Sequence, residues 1–329
     1  MKSVMVSILI PVKNAMPFLE ACIESILKQS FVQWEVIAVD DGSSDTSLTI
    51  LKEYENRESR IQVFENTGDG IIDALDLAYS KSIGQWITRM DADDMMYPNR
   101  LQIMTDQLTE HGKGHISTGL VQYISESQLG DGYQKYQEWL NSLTKTGKNF
   151  TDIYRECVIP SPCWMMFKTD LDKIHAFKPD NYPEDYDLCF RMYQDGLQII
   201  PNDIVLHYWR DHNHRTSRTH EHYADNRFLD LKVHYFLKID YDPMRQLILW
   251  GAGKKGKVLA KKLIEKELDF MWICENPKKT GKHIYGIEMQ DITPIQKSMR
   301  SQIIIAVAGA AKHQIATKIP EDAQAFYFC

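Results

Sequence analysis

The chain has 329 residues, of which 43% are hydrophobic and 25% charged, an ordinary globular composition with enough length for two hydrophobic cores. Lysine and arginine number 38 against 45 aspartates and glutamates, so the formal net charge of −7 excludes a general electrostatic attraction to nucleic acid or anionic lipid. The six cysteines, Cys22, Cys157, Cys163, Cys189, Cys274 and Cys329, form no CxxC pair and no dense framework, the pattern of reduced thiols in a cytosolic protein.

Only Lys2 precedes the first apolar run, residues 4–12, which contains Ser7 and Pro11 and is followed by no small-residue cleavage site. It therefore reads as a strand and not as a secretion signal. No later stretch approaches the roughly 18 apolar residues that would span a bilayer. Membrane contact is expected to be peripheral, at the inner face of the membrane, or through a partner.

Further apolar runs at 34–39, 61–64 and 86–90 alternate with stretches at 16–29, 45–56 and 71–82 whose apolar residues recur three or four apart. Strands alternating with amphipathic helices predict βαβ units around a parallel sheet. From residue 101 to about 241 the pattern is less regular, with a helical stretch at 133–144 and aromatic segments at 163–167 and 207–209. Regularity returns at 246, after a linker at 240–245 that contains Pro243, and divides the chain into domains 1–240 and 246–329.

The run at 34–39 leads straight into Asp40, Asp41, Gly42, Ser43, Ser44 and Asp45, and the run at 86–90 into Asp91, Ala92, Asp93 and Asp94. Ligands of an open parallel sheet bind at the carboxyl ends of its strands. Helix capping accounts for Asp45 but not for two consecutive carboxylates at a strand end. Three carboxylates within four residues repel one another unless a cation or donors offset them, and a divalent ion bridging carboxylate to phosphate is the economical answer.

Glu184, Asp185 and Asp187 gather acids at the start of another helical stretch, more than one N-cap requires. Arg210, Arg215 and Arg218 would suit a bidentate clamp on a diphosphate. Trp209 offers either an apolar face for a sugar ring or a core side chain.

The strings SILIPVKN, VDDGSSD and MDADD, in this order and spacing, resemble the family 2 glycosyltransferases of the GT-A fold across about the first two thirds of the chain. The resemblance implies an inverting, metal-dependent transferase acting on a nucleotide sugar, usually a UDP-sugar, with Mn²⁺ or Mg²⁺ as cofactor and a glycan or lipid-linked acceptor. By position it gives Asp40, with its neighbour Asp41, Pro11 and Asn14, to the base pocket. It sets Asp91 and Ala92 at the ribose and Asp93 on the metal. GDGIIDA, beginning at Gly68, is similar to the family's segment near the nucleotide, although Asp69 and Asp73 stand where many relatives carry a basic residue. PEDYDLCFR matches the ED motif and gives Asp185 the role of general base beside Glu184, with a pKa raised by burial and by its neighbour. Arg210 with His212 resembles an RxH element in which the histidine completes the metal shell, His212 being preferred over His207 and His214.

In the C-terminal stretch, Gly251, Gly253 and Gly256 form GxGxxG between a strand and a helix, and Glu275 follows the next apolar run. This context meets the requirements of a candidate dinucleotide site. About 85 residues with about four strands make only a small Rossmann-like α/β domain, similar to tails that start WGAGxxG in relatives of the family. The leading expectation is a cytoplasmic glycosyltransferase of surface polysaccharide or glycoconjugate synthesis. The alternative is an NAD(P)-dependent oxidoreductase or nucleotide sensor using the glycine-rich unit, and it lacks a Tyr/Lys or His catalytic set.

Overall fold

The computed structural model of the chain describes residues 5–125, 129–178, 183–212, 228–293, 300–307 and 315–329. Two compact units emerge: Met1–Thr151 with Val158–Thr219, and Asp152–Cys157 with His220–Cys329.

In the first unit, strands β1 (Val6–Val12), β2 (Trp34–Asp40), β3 (Ile61–Glu65) and β4 (Trp86–Arg89) alternate with helices α1 (Met16–Leu27), α2 (Ser47–Arg57) and α3 (Gly70–Lys81). The four strands run parallel in the order β3, β2, β1, β4. β2 is buried along its whole length and β1 at all but Pro11, as strands covered on both faces must be. The helix α1 turns Leu19, Cys22, Ile23 and Ile26 inward, the three-and-four spacing of an amphipathic face.

The stretch that is irregular in sequence holds β5 (Met95–Met96), α4 (Arg100–His111), β6 (His115–Thr118), β7 (Leu120–Ser125), α5 (Asp131–Thr146), β8 (Trp164–Phe167), α6 (Lys168–Lys173), α7 (Glu184–Gln194), β9 (Gln198–Ile200) and β10 (Val205–Asp211). β8 joins β4 antiparallel, and β6 and β9 complete a sheet of seven strands. β5, β10 and β7 form a small separate sheet in which His207 pairs with Met96 and Tyr208 with Met95. That pairing brings the turn at 91–94, just ahead of β5, to the end of β10.

One detail of register locates the crevice. β1 stays paired with β2 to Val12 and Asp40, but its pairing with β4 stops at Leu9 and Arg89. The sheet thus opens at the carboxyl ends of β1 and β4, where the strand order reverses and a ligand fits an open α/β sheet. Pro11 lies beyond the last β4 pair, where a missing N–H is tolerated.

In the second unit, α8 (Phe228–Tyr235) runs into a π-helical turn, Phe236–Asp240, before β11 (Gln246–Trp250), α9 (Lys254–Glu265), β12 (Met271–Ile273), β13 (His283–Ile284), β14 (Ile287–Gln290), β15 (Ser301–Ile305) and β16 (Gln324–Tyr327). Among the described residues six strands, in the order β13, β14, β12, β11, β15, β16, replace the four anticipated from sequence; β13 has only two residues and leaves no periodic signal. Residues 228–240, counted with the first domain in the sequence reading, cluster with this unit: Asp230 pairs with Lys262 of α9, and Phe236 packs on Phe326 and Phe328.

Candidate active site

The turn after β2 is built by its own side chains. Asp40 is only 3% exposed; its Oδ2 accepts from the Ser43 amide at 3.0 Å, while its buried Oδ1 has no protein partner. Asn14, in the left-handed region at φ 51, accepts the Ser44 amide on Oδ1 at 2.8 Å and gives its own amide to Ser43 Oγ at 3.0 Å. Asparagine tolerates that backbone better than most residues. Asp41 is the hub of the next loop: Oδ1 accepts from Asn66 Nδ2 at 2.6 Å and the Gly70 amide at 3.0 Å, and Oδ2 from Lys13 Nζ at 2.9 Å. Burial works against the Asp41 charge, but these donors outweigh it and draw the carboxyl below its usual range.

Gly68 gives its amide to Asn66 Oδ1 at 3.1 Å, and an added Cβ there would fall 2.1 Å from Asp73 Oδ2. Asp73 accepts the Asp69 amide at 2.8 Å and carries negative charge in the first turn of α3. Its place in this segment is therefore met by a local structural task.

In the turn after β4, each acid has a basic partner. Asp91 Oδ1 accepts from Arg89 Nε at 2.9 Å, and Asp93 Oδ2 lies 2.9 Å from His212 Nε2. Asp94, 1% exposed, lies 2.9 Å from His207 Nε2 and accepts the Arg210 amide at 2.8 Å. His207 in turn contacts the fully buried Arg100 at 3.0 Å through Nδ1. The repulsion argued from spacing alone is thus offset within the protein, by Arg89 at the end of β4 and by two histidines of β10 and the residue after it that lie far away in sequence. Ala92 is buried between Asp91 and Asp93 and joins the main core cluster.

Strand β10 supplies the other wall. Arg210 Nε donates to the Asp93 carbonyl at 2.8 Å, and its guanidinium lies 5.0 Å from the centre of the Phe18 ring. Phe18 also packs against the His212 ring at 4.5 Å, which leaves the buried Nδ1 of His212 without a partner. His207 is locked between Asp94 and Arg100. His214, Arg215 and Arg218 lie outside the described residues. Trp209 is a core side chain, stacked on Tyr123 at 5.2 Å.

Glu184 and Asp185 open α7. Glu184 Oε1 accepts from Arg89 Nη1 at 3.2 Å, and Asp185 Oδ1 accepts the Tyr186 amide at 2.7 Å. Burial, then the Glu184 charge, push the Asp185 carboxyl up to about 7 against the opposing pull of Arg89. Leu75, Trp164, Phe177 and Leu188 help to line a cavity of about 20 Å³ beside it, space for about one water. Asp187 stands apart from its acidic neighbours: fully buried, it pairs with Arg191 at 2.8 Å, and Arg191 donates to the carbonyls of Ile174, His175 and Ala176. Lys13, Arg100 and Asn66 are site-shaping residues that the sequence reading did not single out.

In the second unit, Gly251, Gly253 and Gly256 form the turn between β11 and α9. They border a cleft of about 510 Å³ at the carboxyl ends of the strands, lined also by Lys254, Lys279 and Glu275. A Cβ on Gly256 would fall 2.1 Å from the Gly251 carbonyl oxygen, so only glycine lets the helix approach the turn. Glu275 pairs with Lys318 at 3.0 Å.

Compared with known families, residues 7–175 match the model described as glycosyl transferase family 2. The chain belongs to glycosyl transferase family 2. Its relatives include an uncharacterized glycosyltransferase of Haemophilus influenzae, 25% identical over 281 residues, or 79% of this chain and 85% of the relative. Another, from Rickettsia bellii, is 29% identical over 179 residues, 54% of this chain; the family-2 chain spans 24% of that relative's length.

Among solved structures, Staphylococcus aureus TarS residues 1–349 in complex with UDP-GlcNAc matches with a TM-score of 0.57 at 17% identity, covering 72% of this chain and 68% of TarS 1–349. The mannosyltransferase PcManGT of Pyrobaculum calidifontis, in complex with GDP-Man and Mn²⁺, matches with a TM-score of 0.51 at 18% identity, covering 71% of this chain and 63% of its own. These likenesses establish the fold, the GT-A type of α/β architecture.

Proposed function

We propose that the family-2 chain transfers a sugar from a nucleoside diphosphate sugar, with uridine as the nucleoside, to an acceptor hydroxyl with inversion at the anomeric carbon. Asp185 carries this reading. A carboxyl that titrates near neutrality, at the edge of the same crevice as the acidic turns, is matched to accepting a proton from an attacking hydroxyl. The acceptor oxygen bonds to the anomeric carbon as the bond to the diphosphate breaks, and the hydroxyl proton passes to Asp185. One base suffices, because the sugar forms no bond to the protein.

The buried, unpartnered Oδ1 of Asp40 supports a base-binding role, since an orphan acceptor at a strand end is satisfied by an N–H of a bound nucleobase. Pro11 and Asn14 border that position; Asp91 and Ala92 precede the metal-side Asp93 in the adjoining turn. Arg210, held on the Asp93 carbonyl, supplies fixed positive charge beside it.

Asp93 and His212 offer one carboxylate oxygen and one imidazole nitrogen, a mixed donor set that suits Mn²⁺ better than Mg²⁺, which prefers oxygen throughout. Among the described residues no group of three or more His, Cys, Asp or Glu side chains is placed to hold an ion, so phosphate oxygens and water would complete the shell. A divalent ion bound there would supply charge neutralisation of the departing diphosphate.

Among the described residues no helix is long and apolar enough to cross a membrane. A cytoplasmic enzyme acting on a glycan or lipid-linked acceptor for a surface polysaccharide or glycoconjugate, with peripheral contact at the membrane's inner face, is consistent with that finding. The oxidoreductase alternative is not favoured, since the family that residues 7–175 match is one of glycosyl transferases.

The direct test is calorimetric titration with UDP in Mn²⁺ and in chelator, paired with an assay of UDP release from UDP-GlcNAc, UDP-glucose and UDP-galactose. Binding that strengthens with the metal supports the reading. Absence of uridine nucleotide binding under both conditions overturns it.

A further inference from the structure

We propose that Arg89 is a positioning residue that fastens the donor-side turn to the acceptor-side base, an inference that rests on the function proposed above. Arg89 is the last residue of β4, at the point where β4 parts from β1, and its side chain is almost wholly buried. Its guanidinium is divided between two elements. Nε donates to Asp91 at 2.9 Å in the turn, and Nη1 donates to Glu184 at 3.2 Å at the start of α7, 95 residues further along the chain.

A bidentate grip on a single carboxylate would be the simpler use of a planar fork. Splitting the fork fixes the distance between the turn that would hold ribose and diphosphate and the helix that presents Asp185. Burial disfavours the Arg89 charge, but Asp91, Glu184 and Asp185 more than offset that cost and keep it protonated. The same charge faces Asp185 from β4, while Glu184 on its own helix and Asp91 in the turn act in the opposite sense. Arg89 therefore sets where the base stands and limits how far its proton affinity rises. Lysine, a single point charge on a flexible stem, keeps the second effect but cannot span both carboxylates.

The test compares full-length Arg89→Lys and Arg89→Gln with the wild type, using UDP with Mn²⁺ for affinity and UDP release from the same three UDP-sugars, across pH, for turnover. Arg89→Lys should lower kcat by about tenfold or more while UDP affinity changes by less than about threefold, since misplacing a base costs rate and not ground-state binding. Arg89→Gln should in addition move the acid limb of the kcat profile upward by about one to three pH units, the effect of removing a close opposite charge. Undiminished kcat in Arg89→Lys overturns the proposal, as does an acid limb that stays put in Arg89→Gln, because a merely structural arginine would leave it there. Should Arg89→Gln not fold, Glu184→Leu, which removes the acceptor of the second anchor, must reproduce the loss in kcat or the proposal falls. A wild type that binds no uridine nucleotide would instead sink the reading of the site itself.

Discussion

His212 Nε2 and Asp93 Oδ2 lie 2.9 Å apart, although 119 residues separate them in the chain. Imidazole and carboxylate at that distance form an ion pair when the histidine is protonated, and a pair of metal donors when it is neutral. Asp93→Ala and His212→Ala should each weaken the Mn²⁺ dependence of UDP binding by about 10- to 100-fold, while binding in chelator changes little. Calorimetric titration with and without Mn²⁺ checks this; identical Mn²⁺ dependence in wild type and both variants would remove the pair from the metal role.

Asp185→Asn removes the proposed proton acceptor and keeps the shape. Turnover should fall by about two to four decades with UDP affinity near that of the wild type, the range for a lost general base. In the wild type, kcat should rise with pH through the neighbourhood of 7, where Asp185 loses its proton. Steady-state rates between pH 5 and 9 test both statements, and an asparagine variant with wild-type turnover would exclude the assignment.

The same carboxyl affects stability with a definite sign. Its folded pKa is raised, to about 7, so its contribution is fully present below the unfolded value near 3.9 and is lost as pH rises through the folded pKa. Replacing Asp185 with asparagine abolishes that loss. The variant should therefore gain in Tm relative to wild type when both are taken from pH 5 to pH 8. Thermal melts in matched buffers that show no such divergence would contradict the burial described for Asp185.

Asp187→Ala should strip a buried partner from Arg191, whose guanidinium also holds three carbonyls of the segment after α6. Breaking one side of a buried pair costs about 3–5 kcal/mol. Urea unfolding monitored by circular dichroism should show the drop, and a change under about 1 kcal/mol would mark the pair as one that contributes little, as exposed pairs do.

Two glycines of one turn should behave oppositely. Gly256→Ala forces a methyl against the Gly251 carbonyl, an overlap costing about 1–3 kcal/mol, whereas Gly253→Ala meets nothing within 4 Å and has ordinary backbone angles. Thermal unfolding of the two variants should therefore separate clearly. Equal midpoints would mean that the approach of α9 to its turn is looser than described.

Much of the first unit could be read from local pattern. Strands buried on both faces leave uninterrupted apolar runs, and the polar turns that follow them stand out, so the sequence itself places the acidic clusters at strand ends. What escaped depends on partners that sequence does not bring together. Asp94 counts in sequence as one more carboxylate in need of a cation, yet it is committed to His207, 113 residues away. Arg100 opens a helix as though it faced solvent, but it is fully buried against Thr88, Arg89 and His207. β8 runs antiparallel and interrupts the βαβ rhythm, which is why residues 101–241 show so little periodicity. Likewise, α8 carries no marker of which unit it joins; that is decided by the faces it finds to pack on.

The buried chain from Asp94 through His207 to Arg100 has a mechanical meaning beyond charge balance. It anchors β10 to the turn through side chains other than the two proposed to hold the metal, so on that proposal Asp93 and His212 would release one another, grip a cargo and let it go without the frame around them shifting. A catalyst that must load and unload on every cycle gains from such a division between the bolt and the jaw.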